Sequence, residues 1–106
     1  MAKKKIYISG PITGRVYEEA VADFAAAEEY LRRFGHTEVV NPITLSPFVG
    51  GKTWEEYMED CMAVLPDCDV IFLIKGWENS RGANDELTKA RDLGLEIWKQ
   101  WKARKA

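Results

Sequence analysis

Glu86 is the side chain in this sequence best placed to do chemistry. It closes the segment Ser80-Arg81-Gly82-Ala83-Asn84-Asp85-Glu86, which follows the apolar run Val70-Ile71-Phe72-Leu73-Ile74 and a polar loop containing Gly76. At about 100° per residue, Ala83, Leu87, Ala90 and Gly94 share one narrow helical face, and Glu86 falls within or beside it. Asp85, Thr88, Lys89 and Asp92 point elsewhere. A helix opening near Ala83, capped by Ser80 or Asn79, would put Glu86 one turn from its start. The helix N-terminus favours an ionised carboxylate there, and a charged carboxylate can attack as a nucleophile. The plainer alternative is a helix-start glutamate placed only for the dipole.

Other groups could serve the same site. The turn Gly10-Pro11-Ile12-Thr13-Gly14 follows a first strand, Ile6-Tyr7-Ile8-Ser9. Such a turn can aim backbone N–H groups at an anion, or be a plain strand-to-helix connection. Asp60 lies on the edge of an apolar helical stripe and Asp69 opens the third strand; either could face the site. His36 sits just past a helix end, where a turn or dipole role is expected rather than catalysis. Ser46 to Thr53 looks like the end of a Walker A motif, but Ser46 stands where the first glycine belongs, and the segment follows the second strand in a long loop. A nucleoside-triphosphatase P-loop is therefore not expected, although Lys52 could still meet a phosphate.

These groups must be positioned by a small α/β framework. Residues 17–34 carry Tyr17, Ala20, Val21, Phe24, Ala27, Leu31 and Phe34 at helical spacing, stopped by Gly35. Glu38-Val39-Val40-Asn41 reads as a short second strand ended by Pro42. Thr53 and Glu56 form a capping box for a helix whose stripe is Trp54, Tyr57, Met58, Cys61, Met62 and Leu65, read as core. Leu95 to Trp98 reads as a fourth strand, and the basic segment from Lys99 onward, with Trp101, as a frayed helix or a subunit contact. Strands alternating with helices imply a small, doubly wound, flavodoxin- or Rossmann-like parallel sheet of about four strands with helices on both faces. A strand order of 2-1-3-4 would set the 10–14 turn and the 76–86 segment across one crevice, where open α/β sheets bind ligands.

The chain has 106 residues, expected to form one domain over 1–106, and a net charge of −2, which gives no reason to expect nucleic acid as a partner. No run approaches membrane-spanning length, and the apolar run after Lys3-Lys4-Lys5 is too short for a signal sequence, so a cytoplasmic protein without a membrane partner is expected. Cys61 and Cys68 match no metal spacing; no metal or cofactor is expected, and Cys61 reads as a reduced core thiol.

Taken together, Tyr7-Ile8-Ser9-Gly10-Pro11-Ile12-Thr13-Gly14, Asn41-Pro42 and the segment from Gly76 through Glu86 resemble the nucleoside 2-deoxyribosyltransferase-like superfamily, and more closely its small phage and bacterial branch, the DUF4406 family. The resemblance spans nearly the whole chain. It implies cleavage of the bond between base and 2-deoxyribose, by hydrolysis or base exchange, on a deoxynucleoside or its 5′-monophosphate. It puts the nucleophile on Glu86, the sugar or its 5′-phosphate on Tyr7, Gly10, Pro11, Thr13 and Gly14, and further sugar or phosphate contacts on Ser80 and Gly82. The superfamily carries an aspartate on the second helix; here that place falls on Cys61, with Asp60 one residue off. The tyrosine that often precedes the glutamate is here Asp85. The leaving base needs a proton; Asp60 is the first candidate donor and Asp69 the second. Trp77 or Tyr7 could stack on the base, or pack in the core. The small domain, the four tryptophans and the superfamily together point to a homo-oligomer, most simply a dimer. A non-catalytic nucleotide-binding module, a sensor or a sponge, is the competing class, and a structural protein without a ligand the third.

Overall fold

The computed structural model describes residues 4–47 and 51–100. They are organised by a parallel sheet with strand order β2-β1-β3-β4. The central strands are β1 (Lys5–Ser9) and β3 (Val70–Leu73); the edges are β2 (Glu38–Val40) and β4 (Glu96–Lys99). Every residue of β3, and all of β1 after Lys5, is buried. Strands covered on both faces need apolar residues at successive positions, which accounts for the unbroken Val70-Ile71-Phe72-Leu73 run. Edge strands tolerate charge, and Glu38, Glu96 and Lys99 are exposed.

Among the described residues four α-helices connect the strands: α1 (Tyr17–Arg33), α2 (Pro42–Leu45), α3 (Trp54–Val64) and α4 (Arg81–Leu93). Right-handed crossovers between parallel strands put α1 on one face of the sheet and α3 and α4 on the other. On the first face, α1 buries Ala20, Phe24, Ala27 and Leu31, and its Tyr30 stacks near Phe72. On the second, α3 buries Tyr57, Met58 and Cys61, and α4 buries Ala83, Glu86, Leu87 and Ala90. The expected capping box is present: Thr53 Oγ1 accepts from Glu56 N, and Glu56 Oε1 accepts from Thr53 N. The chain is thus a doubly wound α/β protein. Among the described residues no helix is long and apolar enough to cross a membrane.

The differences from expectation are local. Asn41 does not extend β2. Its side chain caps α2 by accepting from Ile43 N at 3.0 Å, with Pro42 as the first helical residue. An Asn-Pro pair is equally a cap followed by a helix start, and here that reading wins. The helix carrying Glu86 opens at Arg81 rather than near Ala83, because Ser80 Oγ accepts from Ala83 N at 3.1 Å. β4 lies one residue later than expected. The segment from Trp101 onward, and residues 48–50 of the Walker-like stretch, lie outside the described residues.

The connection from β1 to α1 and the connection from β3 to α4 leave the sheet side by side, and the strand order reverses between them. They run very close. A Cβ on Gly10 would lie 2.2 Å from Ile74 Cγ1, so only glycine fits at this position without displacing the core. That close approach sets the walls of the crevice at the carboxyl ends of the strands.

Candidate active site

At this crevice lies a cavity of about 340 Å³. Gly10, Ile12 and Thr13 enter it from the turn after β1; Trp54, Tyr57 and Met58 from α3; Asn79, Ser80, Arg81, Gly82 and Glu86 from the start of α4 and the turn before it. Gly82 allows the two helices to meet, since a Cβ there would lie 3.2 Å from Met58 Sδ.

The Glu86 carboxyl group reaches this cavity while being only 4% exposed. Both of its oxygens are held. Tyr7 Oη donates to Oε2 at 2.6 Å, and Ser9 Oγ donates to Oε1 at 2.6 Å. Strand alternation explains the pairing: residues i and i+2 of β1 project to the same face, so Tyr7 and Ser9 present two hydroxyls to one carboxylate. Burial pushes the Glu86 pKa up from 4.5 to about 7, against the two hydrogen bonds, which favour the ionised form. The helix dipole is not the controlling influence expected from the sequence, because Glu86 is the sixth residue of α4, beyond the first turn where that field is strong. The Tyr7 phenol is raised well above its ordinary value, chiefly by its own burial and secondly by the negative charge of Glu86 beside it.

Cys61 sits next to this group. It is fully buried beside Tyr7 and Tyr57, and its thiol is raised to about 11, chiefly by desolvation. It is a free thiol in the core, as expected.

The structure separates the expected acids. Asp60 is exposed on α3 and does not line the cavity. It accepts from Ser46 Oγ at 2.7 Å and lies 3.5 Å from Lys52 Nζ. Neighbouring helical positions are turned by about 100°, so a helix that buries Cys61 must turn Asp60 aside. Lys52 is held in the same cluster, donating to Ser46 Oγ at 2.7 Å. Asp69 lies at the amino end of β3, where its side chain accepts from Lys5 N at 2.8 Å; the cavity is at the opposite end of the strand. Among the described residues that line the cavity, Glu86 is the one carboxylic acid.

Of the other expected contacts, Gly10, Thr13, Ser80 and Gly82 line the cavity, and Tyr7 lies beneath it against Glu86. Pro11 and Gly14 are not among the lining residues. Pro11 packs beside Gly76. Trp77 packs partly buried against the core, with Lys99 Nζ 5.4 Å from its ring. Ser9 escapes sequence reading, although its two-residue spacing from Tyr7 is the available signal. Trp54, Tyr57 and Met58 are legible as a helical stripe, but the stripe extends past the core into the cavity. His36 packs against Trp98, away from the cavity. Among the described residues no group of three or more His, Cys, Asp or Glu side chains is arranged to hold a metal ion.

The chain's four-stranded parallel sheet, with its reversal of strand order and helices on both faces, has the nucleoside 2-deoxyribosyltransferase-like fold. Residues 4–99 match the family described as Domain of unknown function (DUF4406), and the chain belongs to that family. Among solved structures, the 2-deoxyribosyltransferase from the psychrotolerant bacterium Bacillus psychrosaccharolyticus is similar, with a TM-score of 0.66 and 25% identity; the match covers 90% of this chain and 70% of that one. That enzyme is described as a suitable biocatalyst for the industrial synthesis of antiviral and antitumoral nucleosides. No curated protein matches the chain.

Proposed function

We propose that the chain cleaves the N-glycosidic bond of a 2-deoxyribonucleoside or its 5′-monophosphate, with Glu86 as nucleophile. The observation that carries this reading is the buried Glu86 carboxyl group opening into the cavity with Tyr7 and Ser9 holding its two oxygens. The likeness in fold to a 2-deoxyribosyltransferase supports the choice of bond.

The chemistry follows from the geometry. A glycosidic transition state resembles an oxocarbenium ion, and a fixed carboxylate stabilises or captures it. A Glu86 oxygen forms a bond to the anomeric carbon as the carbon–nitrogen bond breaks, and that electron pair leaves on the base. The base takes its proton from water, since neither Asp60 nor Asp69 reaches the cavity. Water then releases 2-deoxyribose or its 5-phosphate from Glu86, or a second base takes the sugar. Inverting and retaining glycosidases alike ordinarily use two carboxyl groups; with Glu86 the one carboxylic acid among the described lining residues, the covalent route here draws the leaving base's proton from water. Tyr7 and Ser9 keep the nucleophile aimed, so little reorganisation is needed at the moment of attack.

A second reading, a nucleotide-binding module without turnover, is favoured by the lack of a second carboxylic acid among the described lining residues. Incubation with each of the four deoxynucleosides and their monophosphates separates the two. Free base appearing in proportion to protein is the expected result. Saturable binding without free base would establish the second reading instead.

A further inference from the structure

At the mouth of the cavity, the Arg81 guanidinium lies 4.4 Å from the centre of the Trp54 ring, and both residues line the cavity. The two come from different elements and are fixed there by local structure. Trp54 is the first residue of α3, directly after the Thr53 cap, and is half-buried. Arg81 is the first residue of α4, directly after the Ser80 cap. The approach of the helices at Gly82 brings them together.

The two jaws differ in how firmly they are held. Trp54 packs against the core, whereas the Arg81 side chain is 79% exposed and its ion pair with Asp85 is long, at 4.0 Å. Arg15, Arg32 and Arg33 are each held by a carboxylate at 2.7 to 3.3 Å. Arg81 is thus a planar cation resting on an indole face, tethered by little else. An exposed cation–π contact of this kind is weak. Displacing the guanidinium from the indole is therefore cheap, and the indole face it covers can stack on any flat π-system.

We propose that Trp54 and Arg81 form the base-recognition clamp of this site, the ligand's heterocycle sliding between indole and guanidinium. The inference rests on the reading of the cavity as a nucleoside site, and it names how that site selects. Arg81 and Glu86 are five residues apart on α4, roughly 7.5 Å along the helix axis, so a sugar at Glu86 carries its base toward the clamp. Indole and guanidinium both stack on bases of every kind. Recognition by stacking area, with no second carboxylate among the described lining residues to read ring nitrogens, makes the site tolerant of base identity and gives purines the advantage of the larger ring.

Calorimetric titration of the full chain with 2′-deoxyadenosine, thymidine, adenine and 2-deoxyribose tests this. Trp54→Leu is expected to weaken 2′-deoxyadenosine and adenine roughly tenfold or more, thymidine less, and 2-deoxyribose not at all. Trp54→Phe, which keeps an aromatic face, should recover most of the loss. Arg81→Ala changes an exposed side chain and supplies an independent arm in a chain with an intact core; it should weaken adenine and leave 2-deoxyribose unchanged. Unaltered adenine affinity in Arg81→Ala and in Trp54→Leu, or an equal loss for 2-deoxyribose, would overturn the clamp. So would wild-type protein that binds no base. Adenine binding that depends on Trp54 in a protein that never releases free base would leave the clamp standing and remove the glycosidic reading. Turnover that is indifferent to both variants would do the reverse.

Discussion

Glu86→Gln is expected to fold, to bind a deoxynucleoside, and to release free base at least about a thousandfold more slowly than the parent chain. The substitution preserves shape. The introduced amide keeps an oxygen to accept from Tyr7 or Ser9, and the cavity keeps its volume. What it removes is the charge that attacks the anomeric carbon. A thousandfold loss corresponds to about 4 kcal/mol of barrier, far more than a helix-end glutamate contributes through the dipole, which is at most about 1 kcal/mol at a surface site. The size of the effect therefore separates a nucleophile from a glutamate placed only for the helix. Single-turnover kinetics with binding measured in parallel make the distinction. A variant that binds normally and turns over normally would assign Glu86 to the helix alone.

The same substitution should stabilise the protein at neutral and alkaline pH. Burial raises the Glu86 pKa from 4.5 to about 7, so between those values the folded state holds a proton that the unfolded chain has released. The stability contributed by the protonated form is fully present below pH 4.5, declines as pH rises toward 7, and is absent above it. The separation amounts to about 3 kcal/mol of cost at pH 8. Wild type minus Glu86→Gln, measured by urea unfolding from about pH 4 to about pH 8, should show that difference opening with pH. Turnover should move the opposite way, rising through pH of about 7 as the carboxylate becomes ionised. A stability difference that is flat with pH would mean that burial does not control this carboxyl group. The opposed trends are the expected cost of keeping a charged nucleophile in a dry site, with stability given up for reactivity.

Much of this arrangement is legible in the amino-acid sequence. The apolar run at residues 70–74, the helical phase of Ala83, Leu87 and Ala90, and the alternation of strands with helices lead directly to the parallel sheet and to the placement of Glu86 on a buried face. These are short-range regularities with one period each. The acids are less legible, although the same geometry bears on them. A stripe centred on Cys61 turns Asp60 aside, and a residue that opens a parallel strand, as Asp69 does, lies at the end remote from the crevice. Ser9 shows a different limit. Its two-residue spacing from Tyr7 sets both hydroxyls on one face of the strand, but its role depends on a partner 77 positions away. Trp54 and Tyr57 obey the helical period of a core stripe, and nothing in that period marks where the core ends and the cavity begins. Nothing in the spacing around Arg81 marks its contact with an indole, which arises only when α3 packs beside α4.

The central claim is that Glu86 bonds to the sugar, and trapping that bond tests it most directly. A 2-fluoro-2-deoxyribosyl nucleoside slows both formation and breakdown of a glycosyl ester by destabilising the oxocarbenium-like transition state, and a good leaving base restores the first step. Wild-type protein incubated with such a compound, digested and analysed by peptide mass spectrometry should carry one fluorodeoxyribosyl group on the peptide containing Glu86, with release of one equivalent of base. The account predicts that adduct, and its absence in Glu86→Gln. An adduct on any other residue, or free base released by the wild type with no adduct at Glu86, would contradict it.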